Sequence, residues 1–344
     1  MSEHITIGII GAGMIGDVHI NTIRNDGRGK VKRIAAATNE TLTKKLAKYK
    51  IKFGTLDYHD ILNDPEVDAV VIASPPFTHL EMTLAAIESG KHILLEKPMT
   101  VNINEANQII EKAKNYNKVL LECSCRHARL QPKFNLIKKM IEEDKLGEVY
   151  HIHHNHLMRS TFIEYNPSGK WALDKTKAGG GPFLDWGVYD LSFHLGLLND
   201  EPNLKEIKSF TKSGLKKFRD KNIKQNVEEH GAAYMEFDTG LTYYYERGSG
   251  VHCEAANETR IYGTKGSLRF GYCSWDSPVL DYFYIDDDKN EKLDKIEIDM
   301  SKHSDDNQEL MKHFLDCIFK RTEPMMTPVL AGKHLDILFK ILSG

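Results

Sequence analysis

The residues best placed for chemistry in this chain are a lysine, an aspartate and a tyrosine. Lys97 closes the run Ile93-Leu94-Leu95-Glu96-Lys97-Pro98, where a short apolar stretch ends abruptly in an acid, a base and a proline. Bounded by Gly90 and Pro98, the stretch reads as a buried strand too short for a core helix. Its end puts Glu96 and Lys97 at the carboxyl rim of an open sheet, where α/β folds bind ligands. A surface ion pair at a strand end would have the same sequence. Asp185 and Tyr189 stand four apart in a pattern of Leu184, Val188, Leu191 and Leu195, so one helix would present them on one face. Oxidising a secondary alcohol requires a hydride acceptor and a base for the hydroxyl proton. A phenol with a pKa of about 10 is a poor base at neutrality. A nearby ammonium such as Lys97 would favour the phenolate, and Asp185 could hold that ammonium charged and aimed. His194 is a second acid–base candidate, whose plainer reading is a core or interface histidine.

These groups need a scaffold, and the start of the chain describes one. Ile5 to Ile10 reads as a buried strand that runs directly into Gly11-Ala12-Gly13-Met14-Ile15-Gly16 and then a helix to about Asn25. Strand, glycines and helix in that order form the dinucleotide fingerprint. Gly11 permits the tight turn, Gly13 lets the backbone approach a pyrophosphate, and Gly16 lets the helix pack close. The pyrophosphate would lie over Gly11 to Ile15, at the helix N-terminus. Val31 to Ala37 is the second strand. At its end, where the adenosine ribose is read, stand Thr38 and Asn39, with neither an Asp for a hydroxyl nor an adjacent Arg for a phosphate. Lys44 and Lys45 lie one turn further on. NAD is the expected cofactor, with NADP possible.

Strand and helix patterns then alternate, as in a parallel sheet. A strand from Asp68 to Ala73 stops at Ser74-Pro75-Pro76, helices follow over Phe77 to Ser89 and Ile103 to Tyr116, and Val119 to Glu122 is the last strand of this half. After Arg126 the texture changes. A helix from Pro132 to Glu143 leads to a long strand through Met158, then a loop with Trp171 and the glycines Gly179-Gly180-Gly181. From Ile207 to Ile298 strand-like runs alternate with turn signals, an antiparallel pattern with one face open to a partner subunit. Two helices close the chain, Asn307 to Lys320 and Val329 to Leu342. The expected fold is α/β: a Rossmann dinucleotide-binding domain over 1–125, an α/β domain with a large, open, mainly antiparallel sheet over 126–304, and C-terminal helices over 305–344 packing back on the body.

Composition excludes several functions. At 41% hydrophobic and 28% charged residues, the 344-residue chain has the make-up of a globular protein with room for two cores. A net charge of −3 gives no case for nucleic acid or an anionic membrane. The densest basic stretch, Lys212 to Lys224, has little aromatic company and reads as a solvated connection. No apolar run approaches the length that spans a bilayer. Five cysteines without framework spacing, and no leader before the first strand, indicate a reduced cytoplasmic protein. His151, His153, His154 and His156 alternate along a strand, and no Cys or carboxylate of ligand spacing completes a set, so no metal is expected. His156, Trp171, Asp185 and Arg126 are candidate substrate contacts, Arg126 lying just past the last Rossmann strand. Cys123 and Cys125 read as packing.

The motifs agree in order and spacing with one family. The chain resembles the glucose-fructose oxidoreductase / inositol dehydrogenase / rhizopine catabolism family of sugar-linked dehydrogenases. The likeness rests on the N-terminal fingerprint, Ser74-Pro75 with His79, Glu96-Lys97-Pro98, Leu146-Gly147-Glu148, and Gly179-Gly180-Gly181 followed by Asp185-Trp186-Gly187-Val188-Tyr189. It implies that Glu96 and Lys97 lie beside the nicotinamide ribose, that Ser74 and Pro75 line the cofactor cleft, and that Lys97 reaches the reacting hydroxyl. It also implies a homo-oligomer, dimer or tetramer, built on the open sheet. The residue four after Asp185 is the family's usual acid–base position; many members carry His there, and this chain has Tyr189, as in branches that pair Tyr with Lys. The expected activity is hydride transfer between a secondary alcohol of a sugar, sugar derivative or cyclitol and NAD(P). An enzyme that uses the same residues to oxidise, cleave or eliminate, and re-reduce is the alternative. A non-catalytic dinucleotide sensor ranks last, because Lys97, Asp185 and Tyr189 are all present.

Overall fold

A computed structural model describes residues 4–167, 169–215 and 224–344. The cations at 216, 217, 219 and 221, which make up most of the basic connection, lie outside the described residues. The chain divides into two compact units, Met1–Arg126 with Ser304–Lys333 and His127–His303 with His334–Gly344. The C-terminal helices, expected as a segment of their own, are shared out: Asp306–Lys320 belongs to the first unit, and Pro328–Ser343 contributes residues to both.

In the first unit, six strands form one sheet: β1 (Ile5–Ile10), β2 (Gly29–Ala35), β3 (Phe53–Thr55), β4 (Ala69–Ile72), β5 (His92–Leu95) and β6 (Leu120–Glu122). All are parallel, in the order β3-β2-β1-β4-β5-β6. β4 is buried along its whole length and β5 over Ile93, Leu94 and Leu95, which is why these strands read as unbroken apolar runs. The strand order reverses between β1 and β4, the topological switch point at which such sheets bind ligands. Helix Asp306–Lys320 packs on the helix Met14–Asp26 that follows β1. Gln308 Nε2 donates to Thr22 O at 3.2 Å, and Arg28 bridges Asp26 and Asp316. The chain's far end thus braces the fingerprint helix.

In the second unit, eight strands form a mixed sheet: β7 (Val149–Met158), β8 (Leu204–Lys212), β9 (His230–Phe237), β10 (Thr242–Ser249), β11 (Ala256–Gly263), β12 (Gly266–Phe270), β13 (Val279–Ile285) and β14 (Glu291–Glu297). The order is β14-β13-β12-β11-β7-β10-β9-β8; only β7 and β10 run parallel. Ile152 and His154 of β7, Tyr243 and Tyr245 of β10, Ile261 of β11 and Leu268 of β12 are buried on one face. The helix Pro132–Glu142 packs into the core there through Phe134, Ile137 and Met140. Every residue of the helix Gly187–Leu197 is buried. The opposite face presents Tyr234, Tyr244, Arg260, Arg269, Phe283 and Leu293, of which Tyr234, Phe283 and Leu293 are exposed.

Candidate functional site

In the first unit, register sets the geometry. Ile10 pairs with Ile72, Ile72 with Leu95, and Leu95 with Glu122, so the residues after these strands follow one another along the carboxyl rim. Gly11 has φ +105°, and a Cβ there would stand 2.6 Å from the Ala73 carbonyl and the Ser74 nitrogen. Conformation and close approach both demand glycine. Gly16 is equally confined, its Cβ falling 2.3 Å from Gly11 O. Gly13 differs. It has an ordinary φ of −76°, and an added Cβ would meet nothing within 4 Å. The protein itself does not need a glycine there, so the open space at the helix N-terminus, flanked by exposed Met14 and half-buried Ile15, fits a dinucleotide pyrophosphate. Ser74 and Pro75 stand half-buried on the same rim, with Ser74 Oγ 2.7 Å from Thr78 Oγ1. Thr38 caps the helix Asn39–Tyr49 by accepting from Thr41 N, and both Thr38 and Asn39 are exposed. Of the two lysines beyond them, Lys44 pairs with Glu40 and Lys45 with Asp17.

Glu96 is buried, and its partners differ from those the run of residues suggested. Arg126 donates to Glu96 Oε1 at 2.6 Å, His19 Nε2 lies 2.8 Å from the same oxygen, and the backbone N–H of Lys97 donates to Oε2 at 3.1 Å. Burial alone would push this carboxyl up; the Arg126 charge and the His19 contact more than offset it and hold Glu96 ionised, well below the usual carboxylate range. Arg126, expected on the substrate, is 3% exposed and spent on this pair. His79, a cofactor-side candidate by its place after Ser74-Pro75, lies against backbone carbonyls. It is fully buried, with Nδ1 3.0 Å from Pro98 O and Nε2 2.9 Å from Ser74 O. Burial keeps the imidazole neutral, so its one N–H donates to one of these carbonyls while the ring packs against the other, between the loop after β4 and the loop after β5. Lys97 itself is half-buried.

Among the described residues, His19, Glu96 and Cys123 form a group whose ligand atoms lie within 4.8 Å of one another. A guanidinium already occupies Glu96, and burial raises the Cys123 thiol well above its ordinary value, so the cluster is a hydrogen-bonded core rather than a metal centre. Glu122 adds a second buried acid. Its Oε2 accepts from Ser124 N at 2.7 Å and Ser124 Oγ at 2.5 Å, while Oε1 has no hydrogen-bond partner among the described residues. Burial raises its pKa to about 7, and the charge of Glu96 adds to the shift.

In the second unit, the three glycines shape the entry to Asp185. Gly179 has φ +80°, and a Cβ on Gly181 would fall 2.0 Å from Glu228 O. The buried Glu228 carboxylate accepts from Gly181 N and Phe183 N and so caps the helix Pro182–Asp185. That helix ends at Trp186, and a second begins at Gly187. The single helix expected through Asp185 and Tyr189 is therefore broken: Tyr189 N donates to Trp186 O at 2.8 Å, and the shared face does not follow from spacing. Tyr189 is 1% exposed, with its ring 4.9 Å from that of His127 and 5.3 Å from that of Trp186. His156 also lies near Trp186, at 6.2 Å between rings, whereas Trp171 packs on Phe162. His194 is fully buried, between Thr259 Oγ1 at 3.1 Å and Tyr243 OH at 2.7 Å, which makes it a core histidine.

Two family models match the chain. The oxidoreductase family model with an NAD-binding Rossmann fold covers residues 5–123, and the C-terminal domain model of the same family covers 134–269. The chain belongs to the Gfo/Idh/MocA oxidoreductase family. A myo-inositol 2-dehydrogenase of Thermotoga maritima is 27% identical over 57% of this chain and 55% of its own length. A D-xylose 1-dehydrogenase [NADP(+)] of Haloarcula marismortui is 28% identical over 78% of this chain and 69% of its own length. The matched part spans little more than half of several curated relatives. A solved levoglucosan dehydrogenase, in complex with NADH and levoglucosan, superposes with a TM-score of 0.86 at 20% identity, over 99% of this chain and 96% of that chain. At that identity the likeness is one of fold. Among the described residues, no helix is long and apolar enough to cross a membrane.

Several members of these clusters escape motif reading. Arg247, buried 3.3 Å from Asp190, had a visible signal, because it continues the buried period-two series Tyr243, Tyr245 along β10. Glu122 and His127 had none, being brought into place by tertiary packing. Glu122 also yields a test. Its folded pKa of about 7 lies above the ordinary 4.5, so the folded state binds the proton more tightly and stability falls as pH rises between those values. Replacement by Gln, which keeps an acceptor for Ser124, should leave stability near pH 5 almost unchanged and raise it at pH 8 by up to about 3 kcal/mol. Urea unfolding at the two pH values measures the difference; equal effects at both would show that Glu122 ionises normally.

Proposed function

We propose that this chain is an NAD(P)-dependent oxidoreductase that moves a hydride between a secondary alcohol of a sugar, sugar derivative or cyclitol and the nicotinamide, with Lys97 and Tyr189 as its acid–base groups. The observation that carries the reading is the aligned rim of the first unit. Open space at Gly13, the backbone of Ser74 and the Glu96–Lys97 turn follow in register across β1, β4 and β5. Relatives named as inositol and xylose dehydrogenases support the substrate class.

Each group has a task that follows from its surroundings. The helix N-terminus at Gly13 to Ile15 binds the pyrophosphate. Glu96, unable to leave its pair with Arg126, holds the Lys97 backbone through the bond to its N–H. The Lys97 ammonium hydrogen-bonds the reacting hydroxyl and favours the Tyr189 phenolate, and Asp185 keeps the ammonium charged. Tyr189, packed against His127 and Trp186 and shielded from bulk water, takes the hydroxyl proton during oxidation and returns it in the reverse direction. The bound nicotinamide supplies the hydride acceptor.

The uncovered aromatic and charged face of the eight-stranded sheet is proposed as the surface on which copies of the chain associate. Light scattering at micromolar concentration should give a dimer or tetramer mass; a monomer mass would remove this part of the reading.

Two variants separate chemistry from cofactor binding. Tyr189→Phe should bind dinucleotide as wild type does and lose about 10² to 10⁴ in the rate of hydride transfer, together with the rising limb of its pH–rate profile. Gly13→Val, whose Cβ meets nothing within 4 Å in the protein, should fold normally and fail to bind NAD or NADP. Single-turnover kinetics and dinucleotide titration read these outcomes. Wild-type turnover with an intact pH limb in Tyr189→Phe would place the base elsewhere.

A further inference from the structure

The second unit contains a polar row that the acid–base chemistry does not use. Arg247 on β10 pairs with His156 on β7, and His156 pairs with Asn257 on β11, so three side chains stand side by side on the face that carries Tyr243 and Tyr245. Arg247 is 1% exposed, and none of its Nε, Nη1 and Nη2 atoms has a hydrogen-bond partner among the described residues. His156 Nδ1 and Asn257 Oδ1 are buried and likewise unpartnered. Buried polar atoms are nearly always paired, and five unpaired ones in a row is a large departure.

The core explains the charge of Arg247 but not its hydrogen bonds. Asp190 Oδ2 lies 3.3 Å from Arg247 Nη1, yet the Asp190 carboxylate already accepts from Tyr245 OH and Tyr272 OH, each at 2.6 Å. Burial would raise Asp190; the Arg247 charge outweighs it and keeps the acid ionised, so the pair is neutral as a unit. Burial, with Arg247 alongside, lowers His156 to about 2, which leaves its imidazole neutral, with one donor and one acceptor nitrogen. Above the guanidinium, at 5.4 Å, lies the ring of Trp186, half-buried and set at the break between two helices. Trp186 is next in sequence to Asp185, and its ring packs on Tyr189.

We infer that Arg247, His156 and Asn257 form a subsite for two adjacent hydroxyl groups of a neutral polyol ring, with Trp186 as its wall. This rests on the reading of the chain as a polyol oxidoreductase. Hydroxyls both donate and accept, which matches a fork of donors beside a lone amide acceptor and an imidazole that can do either. A carboxylate or phosphate fits badly. It would add an uncompensated negative charge beside the neutral Arg247–Asp190 pair and face the Asn257 oxygen with another acceptor. Trp186, half-buried beside the guanidinium, closes one side of the subsite.

The test uses the full-length protein with saturating NAD. Probes are myo-inositol, D-xylose and D-glucose, with D-glucuronate and D-glucose 6-phosphate as anionic counterparts and the monodeoxy analogues of the best neutral substrate. Wild type should prefer a neutral polyol and lose affinity for at least one monodeoxy analogue. Arg247→Lys keeps a cation for Asp190 but loses the planar fork. It should raise KM by about tenfold or more, leave kcat nearly unchanged, and erase the penalty for that analogue. His156→Leu should do the same at about three- to tenfold; it carries the test alone if Arg247→Lys does not fold. Preference for the glucuronate or the phosphate overturns the subsite, as does an unchanged deoxy penalty in the variants. Failure of wild type to oxidise any polyol overturns the proposed function and the subsite together.

Discussion

A carboxylate that cannot leave the interior governs the first unit. Glu96 ends β5 under the rim of a parallel sheet, and an ionised acid there is tolerable only with partners in good geometry. Arg126 and His19 provide them, from the residues just past β6 and from the fingerprint helix. One buried cluster therefore joins the ends of two strands to the fingerprint helix. Removing Arg126 would strand a buried charge, a loss of the kind that costs about 3–5 kcal/mol. The consequence for function is indirect but firm: the turn carrying Lys97 is held by its own preceding residue. His79, wedged between Ser74 O and Pro98 O and donating to one of them, packs on the other side of the turn.

The second unit repeats the device with different residues. Asp190 sits in a fully buried helix and is held by Tyr245, Tyr272 and Arg247 from the sheet beneath. Gly187 makes the contact possible, since a Cβ there would stand 2.8 Å from Leu338 Cδ2 and 2.9 Å from the Tyr245 hydroxyl. Asp185, Trp186 and Tyr189 ride on the segment so anchored. In both units residues proposed for chemistry are neighbours in sequence of a buried carboxylate–guanidinium pair, Lys97 of Glu96 and Tyr189 of Asp190. Rigid support of this kind is what positional accuracy at an acid–base site requires.

Much of this was legible in the sequence, for identifiable reasons. Parallel strands buried on both faces leave unbroken apolar runs, so β1, β4 and β5 and the glycines after β1 could be read directly. Alternation marked the second sheet, and the buried pair His154 and His156 followed from period two along β7. Short or locally overridden features could not be read. β3 has three residues, too few for any period. The break at Trp186 was masked because Leu184, Val188, Leu191 and Leu195 keep helical spacing across it; only Gly187 hinted at a boundary. Arg126 stood just past the last strand and His79 in a motif, and neither place foretold that Arg126 pairs with Glu96 or that His79 lies against Ser74 O and Pro98 O. Sequence spacing reports which residues are near a site and does not report which of them the interior has already claimed.

In the proposed net oxidation, a carbon-bound hydrogen of the polyol moves directly to the nicotinamide. Turnover of the preferred polyol, deuterated at its ring carbons, with unlabelled oxidised dinucleotide tests this most directly. The account predicts one deuterium-labelled reduced nicotinamide for each polyol oxidised, with a rate slower than that of the unlabelled substrate wherever hydride transfer limits. Product formed without net accumulation of reduced dinucleotide would mean that the cofactor is recycled within the reaction, and unlabelled reduced dinucleotide would mean that the hydride does not come from the sugar carbon; either result would contradict the account.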